Sequence, residues 1–310
     1  MQGKKNAKES KNFSKEKSKT GDFSKFIRPE KKKKTANSEF EKYPSPFEKT
    51  GTKSKPALIK KNVSVANTEG NSEAGLMRLN KYIAHSGICS RRDADVLIQS
   101  GTIKVNGITV TELGYKINPG DSVTMDGQRL SNEKHQYVLL NKPKDFVTTT
   151  DDPENKRTVM QLVKNACKER IYPVGRLDVK TTGLLLFTND GEMAKKLTHP
   201  KHNISKIYHV SLDKALSYSD LLKIRNGVDL EDGFIKADEI DYVASVDDKK
   251  EIGIQIHSGK NRIVRRIFEK LEYKVLKLDR VVFAGLTKKD LPRGKWRFLT
   301  PKEIDFLKML

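Results

Sequence analysis

From Met77 onward the apolar residues fall into periods, and the period changes twice. In "MRLNKYIAHSG", Leu79, Tyr82 and Ile83 recur at helical spacing, and Gly87 stands where a helix C-cap belongs. "SRRDADVLIQSG" repeats the pattern. Ser90 is a good N-cap with Asp93 three residues on, Ala94, Leu97 and Ile98 form the inward stripe, and Gly101 ends the helix. "TIKVNGITV" then switches to β-rich runs around Asn106-Gly107, the favoured type I′ turn of a hairpin. "INPGDSVTMDGQRL" adds a turn and a last strand, so residues 77–136 predict a small helix–helix–hairpin unit.

A second pattern starts at Tyr137. "YVLLNKPKDFVTT" predicts a strand ending in a Lys-Pro turn, and "TVMQLVKNA" a short amphipathic helix. "RIYPVGRLDVKTTGLLLFTNDG" reads as loop, buried strand and Asn-Asp-Gly turn, and "EMAKKLTHP" as a helix stopped by Pro200. "SKIYHVSLDKAL", "GFIKADEIDYVAS" and "KEIGIQIHSG" read as strands. In "NRIVRRIFEKLEY" Val264, Ile267, Phe268 and Leu271 form an apolar helix face, and Arg262, Arg265, Arg266 and Glu269 a second stripe. Strands and helices mix without a βαβ cadence. The expected class over 137–310 is α+β with a mixed, largely antiparallel sheet.

Charge changes the picture. The 310 residues carry a net +21, a field that favours a polyanionic partner, above all nucleic acid. Residues 1–76 hold 19 Lys/Arg against 9 Asp/Glu and show no period of 2 or 3.6. Such a segment buries too little apolar surface to offset its ordering entropy. It is expected to be a disordered tail that raises RNA affinity by counterion release. No run reaches the ~18 apolar residues of a membrane span, and the N-terminus lacks a secretory apolar core, so a cytoplasmic protein with no membrane partner is expected.

Cys89 and Cys167 make neither a disulfide framework nor a zinc site and are expected reduced and buried. His199 and His202 have a metal-like spacing but no third ligand nearby. No metal and no small-molecule cofactor is implied, and the absence of a heptad or exposed apolar stripe points to a monomer.

One acid stands out. In "GRLDVKTTGLLLFTNDG", Asp178 lies beside Arg176 on a Gly-led loop just before an apolar run. On those residues alone it reads more readily as a turn-maker than as a reactive group. The whole stretch, however, resembles the catalytic motif of the pseudouridine synthases, in the branch that joins an S4 RNA-binding domain to a catalytic core and modifies ribosomal RNA. "RLNKYIAHSGICSRRDADVLIQSGTIKVNG" is similar to the S4 pattern over roughly 77–124. The resemblance implies that Arg78, Lys81, Arg91, Arg92 and Lys104 meet folded RNA through its phosphates and shape.

In the catalytic part the resemblance implies that Asp178 is the essential residue. Lys142 and Pro143 fall on the family's Lys-Pro motif, and in "KIYHV" Lys206 and Tyr208 fall on a Lys-x-Tyr pair whose ring stacks on the target base. In "SGKNRIVRRIFEKLEYKVLKLDRVVFAGL", Arg265 falls on the arginine that pairs with the catalytic carboxylate. Ser258 and Lys260 depart from the common residues there but keep donors available. Lys142, Arg176, Lys206, Lys260, Arg262 and Arg266 are the further candidates for RNA contact.

The implied reaction isomerises uridine to pseudouridine, which suits a carboxylate because the sugar develops oxocarbenium character. The residues leave open whether Asp178 adds to C1′ or acts otherwise on base and sugar. "GVDLEDG" and "LPRGKWRFLT" resemble the subgroup acting on large-subunit rRNA, with the small-subunit branch as the alternative. The implied partner is ribosomal RNA or a pre-ribosomal particle. The competing readings are a non-catalytic S4-domain assembly factor and a tail-driven RNA chaperone.

Overall fold

The computed structural model describes residues 75–151, 156–243 and 249–310. The lysine-rich tail expected over 1–76 lies, up to residue 74, outside the described residues. The described residues form two compact units, one of 75–82 with 91–130 and the other of 83–90 with 131–310.

α1 (Leu79–His85), whose chain passes from the first unit into the second, and α2 (Arg91–Gln99) of the first end where the glycines demand: Gly87 and Gly101 have φ of 80° and 75°. Asn80 Nδ2 donates to Asp95 Oδ1 at 2.9 Å. A small antiparallel sheet follows, with β1 (Ile103–Val105), β2 (Ile108–Thr109), β3 (Val123–Met125) and β4 (Gln128–Arg129) in the order β2-β1-β3-β4. Asn106 and Gly107 both have positive φ, as the type I′ turn requires. The sequence reading put a single last strand after this hairpin. The structure instead has a second hairpin, β3–β4, turning at Asp126-Gly127 with φ of 49° and 78°. Strands of two or three residues carry too little alternation to separate by pattern.

The second unit is a nine-stranded sheet. Its path includes β5 (Tyr137–Lys142), β6 (Thr182–Thr188), β7 (Lys206–Leu212), β10 (Glu239–Tyr242), β11 (Glu251–Ile256), β12 (Val275–Phe283) and β13 (Trp296–Phe298). The order is β10-β11-β7-β12-β6-β5-β13, and Tyr172–Pro173 and Leu286–Thr287 add short pairings to β6 and β12. The β12–β6 contact is parallel and every other pairing in this sheet is antiparallel. A separate ribbon pairs β8 (Val228–Leu230) with β9 (Gly233–Ile235).

The run "GLLLF" is apolar throughout because β6 is covered on both faces. Leu185 and Phe187 join the core that includes Val264, Ile267 and Phe268 of α6 (Ile263–Lys270). Leu184 and Leu186 join the opposite core with Leu197 and Leu307. Gly183, the first residue of this run, has φ of 107°, and a Cβ there would run into the backbone nitrogen and carbonyl oxygen of Arg280. The glycine is what lets β6 and β12 lie side by side.

The short helix α3 (Val159–Val163) and α4 (Gly191–Thr198) lie where expected, but Asp190 is not a turn residue. Its carboxylate caps α4, accepting from the Glu192 and Met193 amides, and also accepts from the Tyr137 hydroxyl at 2.7 Å. The sequence pattern did not reveal α5 (Tyr218–Asn226), the long strand β12, α7 (Pro301–Met309), or the short strands β8 and β13. The alternation of β12 is disguised by Asp279 and Arg280 in its middle. Helix α7 carries a legible signal, a capping box between Thr300 and Glu303 with Pro301 at its start. Cys89 and Cys167 are half-buried rather than buried, with no disulfide between them. Among the described residues no helix is long and apolar enough to cross a membrane.

Candidate active site

The loop Gly175–Thr181 between Tyr172–Pro173 and β6 carries Asp178, and it is braced from several sides. Gly175 has φ of 77°, a left-handed turn that a glycine adopts without strain. The Thr148 hydroxyl, itself buried, donates to the Leu177 carbonyl at 2.8 Å and accepts from the Leu177 amide at 3.3 Å. The Lys142 ammonium donates to the carbonyls of Asp178 at 3.1 Å, Val179 at 3.3 Å, Thr181 at 2.9 Å and Pro143 at 3.1 Å. The Thr181 amide closes a turn onto the Asp178 carbonyl at 3.0 Å. The backbone of the acid is thus fixed while its half-buried side chain faces open space.

That space is a cleft of about 220 Å³, walled by the 174–178 loop on one side and by Ser258–Val264 on another, with Tyr208, Leu278 and Arg280 of the sheet at its base. A second hollow, of about 330 Å³, adjoins the same loop, and Val147, Thr148, Lys180 and Arg265 are among its lining. Arg176, Leu177, Asp178 and Arg262 line both.

Cations surround the carboxylate. Arg265 is 7% exposed, and its Nη1 donates to the Val275 carbonyl at 2.9 Å. Burial pulls its pKa down, the Arg262 charge adds to this, and the Asp178 carboxylate pushes back. The two face one hollow, but among the described residues no direct ion pair joins them, because the guanidinium is held by β12 instead. The expected pairing is therefore an electrostatic one across the hollow. Lys206 lines the cleft, with its ammonium bonded to the His257 carbonyl at 2.7 Å and the Ile204 carbonyl at 3.1 Å. Burial, helped by the nearby Arg280 charge, lowers its pKa to about 8.

The other predicted residues divide. Arg176 is exposed at the cleft mouth. Lys260 donates to the Asp232 carbonyl at 2.7 Å, and Arg266 grips the Asp232 carboxylate with both Nη atoms. Arg262 precedes α6 with φ of 48° and pairs with Glu269 at 3.1 Å. Arg265, Arg262 and Arg266 are therefore not one solvent-facing stripe: the first is buried and the others are tied to separate acids. Arg78, Arg91, Arg92 and Lys104 are exposed on the first unit and Lys81 is half-buried.

Lys142 is a correction. It is 0% exposed and spends its ammonium on four carbonyls, so it braces the Asp178 loop and does not contact RNA. Sequence reasoning missed Thr148, a threonine with no motif around it. It also missed Arg280, hidden in the unread strand.

A braced carboxylate, a tyrosine and several cations line one cleft, and the chain ahead of it folds as a helix–helix–hairpin of the S4 kind. Residues 136–270 match the family model described as RNA pseudouridylate synthase, and residues 77–123 match the S4 domain. Among curated relatives, "Ribosomal large subunit pseudouridine synthase B" of Bacillus subtilis (strain 168) is 43% identical over 237 residues, 75% of this chain and 96% of that protein. An "Uncharacterized RNA pseudouridine synthase" of Aquifex aeolicus (strain VF5) is 36% identical over 230 residues, 74% of this chain and 92% of that one. A solved structure described as "Crystal structure of pseudouridylate synthase" superposes with a TM-score of 0.54 at 30% identity, covering 74% of this chain and 99% of that one. The chain belongs to the RNA pseudouridine synthase family and carries an S4 domain ahead of the catalytic domain.

Proposed function

We propose that this enzyme isomerises a specific uridine in large-subunit ribosomal RNA, with Asp178 as its nucleophile. The observation that carries the reading is the bracing of Asp178. Thr148 and Lys142 immobilise its backbone at a cationic cleft that has Tyr208 at its base. The likeness to the B-type enzyme of Bacillus subtilis supports the choice of subunit.

In this reading the target uridine leaves its stack, at a cost of a few kcal/mol, and its base lies against Tyr208. Asp178 adds to C1′ as the N1–C1′ bond breaks, and the bonding pair leaves with the uracil. The base turns, C5 bonds to C1′, Asp178 is released, C5 loses its proton and N1 gains one. Atoms and charge balance without a co-reactant. Arg265 offsets the Asp178 charge across the hollow, and a fixed cation there avoids the reorganisation that water would need. Arg176, Lys206, Lys260, Arg262 and Arg266 meet phosphates near the cleft, and Arg78, Lys81, Arg91, Arg92 and Lys104 dock the RNA through the S4 domain. The domains run 77–136 and 137–310, with residues 1–76 a basic accessory tail. The enzyme works as a cytoplasmic monomer on rRNA or a pre-ribosomal particle.

The test is carbodiimide labelling of unmodified large- and small-subunit rRNA after incubation with the protein, read as reverse-transcription stops. One new stop in large-subunit RNA, absent with Asp178→Asn, is the expected result. A stop only in small-subunit RNA overturns the subunit. No stop on naked RNA or precursor particles sinks the proposed rRNA substrate.

A further inference from the structure

Lys260, which lines the cleft, and Arg266, one turn into α6, share a single acid. That acid is Asp232, in the two-residue turn that joins β8 to β9. Arg266 grips its carboxylate with two nitrogens, Nη1 to Oδ2 at 2.9 Å and Nη2 to Oδ1 at 2.5 Å. The Lys260 ammonium donates to the Asp232 carbonyl at 2.7 Å and lies 3.7 Å from Oδ1. Among the described residues the β8–β9 ribbon pairs only with itself and joins no strand of the main sheet.

Stability is a weak reason for this cluster. The Asp232 side chain is 43% exposed and that of Lys260 37%, and exposed ion pairs contribute little. The geometry matches something else. Two oxygens of one anion meet a guanidinium side by side, with an ammonium next to them, as the free oxygens of a phosphodiester would. The Arg266 hydrogen bonds pull the Asp232 pKa down to about 2, so the negative charge persists at neutral pH. Two cations less one acid leave the cluster at a net +1, against +2 once the carboxylate swings away.

In the proposed reaction Lys260 and Arg266 meet RNA phosphates. A phosphate must then take the place of the carboxylate. Asp232 is tethered beside the pair, so it competes at high effective concentration whether RNA is present or not. Each contact made here is an exchange of one anion for another, which weakens binding and favours departure of the product.

We propose that Lys260 and Arg266 form a phosphate site whose resting occupant is Asp232, and that this carboxylate returns to the pair as the modified RNA leaves. The inference rests on the reading of these two cations as RNA contacts and adds the acid that competes with the RNA there.

The test uses the full-length protein and a large-subunit rRNA transcript carrying 5-tritiated uridine, since forming the C5–C1′ bond expels the hydrogen at C5. Affinity is read by filter binding at several salt concentrations, and again as the protein concentration that gives half-maximal single-turnover tritium release. Asp232→Asn keeps the shape and removes the charge. It is expected to tighten binding about three- to fivefold, the scale of one surface ion pair. The half-maximal concentration should fall by the same factor, and the salt slope should steepen by up to about one. Beside Arg266→Gln the same substitution should gain less than about twofold, because the two side chains act as a pair. Asp229 is exposed on the same ribbon and bonds to neither cation among the described residues, so Asp229→Asn controls for charge alone and should gain less than about twofold.

Unchanged or weaker binding in Asp232→Asn overturns the inference. So does an equal gain from Asp229→Asn, or a gain that persists in full beside Arg266→Gln. If Arg266→Gln alone binds RNA with wild-type strength and salt slope, no phosphate meets this pair and the reading beneath the inference fails. A wild-type protein that releases no tritium from any transcript or particle sinks the isomerase reading, and filter binding still decides the exchange.

Discussion

Replacing Lys142 by Met removes the ammonium that holds the Asp178 loop while keeping most of the buried volume. Two effects compete. Burial lowers the pKa of Lys142 from 10.5 to about 8 against the pull of the Asp178 and Asp145 charges, a net cost to the charged form of about 3 kcal/mol. Against it stand the ammonium's three N–H donors, shared among four carbonyls, each bond from a charged group worth about 1.5–3 kcal/mol, and a buried carbonyl stripped of its donor is costly. The loss on substitution is smaller than the full set of bonds. The Asp178 carbonyl keeps the Thr181 amide at 3.0 Å, and the Val179 carbonyl keeps the Asp145 amide at 2.9 Å. A net cost of about 2–4 kcal/mol follows, which lowers the melting temperature by about 5–15 °C for a domain of this size.

Tritium release should fall further than the folded fraction does, because a misplaced nucleophile loses about 100-fold per ångström. The sign of the pH dependence is also set. The folded pKa lies below the unfolded one, so the unfolded chain binds more protons between about pH 8 and 10.5, and stability rises with pH across that window. Lys142→Met should remove its share of that rise. A variant that melts within about 2 °C of the wild type and turns over at wild-type rates would refute the bracing argument.

Other outcomes are set by the same geometry. Lys206 loses its charge as pH rises through about 8, so RNA affinity should weaken above that pH. With Lys206→Met this pH dependence should vanish and the salt slope should fall by about one, by filter binding at several salt concentrations. Asp190→Asn should cost about 1–2 kcal/mol, because it weakens the cap of α4 and the bond from Tyr137. Burial works to raise the Asp190 pKa, but the Met193 amide and the Tyr137 hydroxyl prevail and lower it. Its stabilising contribution is therefore present above the unfolded value of 3.8 and lost as pH falls below it, and an acid titration of Asp190→Asn should be flatter there. Gly183→Ala should leave little soluble protein, because its Cβ meets backbone rather than a movable side chain; recovery of a folded, active variant would refute that packing.

How much of this was legible divides along a physical line. Local chemistry was written in the chain. The Asn106-Gly107 turn, the glycine ends of α1 and α2, the apolar face of α6 and the doubly covered strand "GLLLF" all follow from short-range rules of backbone conformation and alternation. Asp178, Tyr208 and Arg265 stood out only through a motif resemblance, since an acid after a glycine loop has no chemistry of its own. What the tertiary structure alone decided is which charges are buried. Lys142 reads in sequence like any surface lysine beside a proline, yet it lies in a cage of carbonyls drawn from a loop more than thirty residues away. Arg280 interrupts the apolar pattern that would have revealed β12, and only the ladder brings it across from Tyr208 at the cleft. The energy of a charge is set by its solvent and its neighbours in space, and neither is local to the sequence.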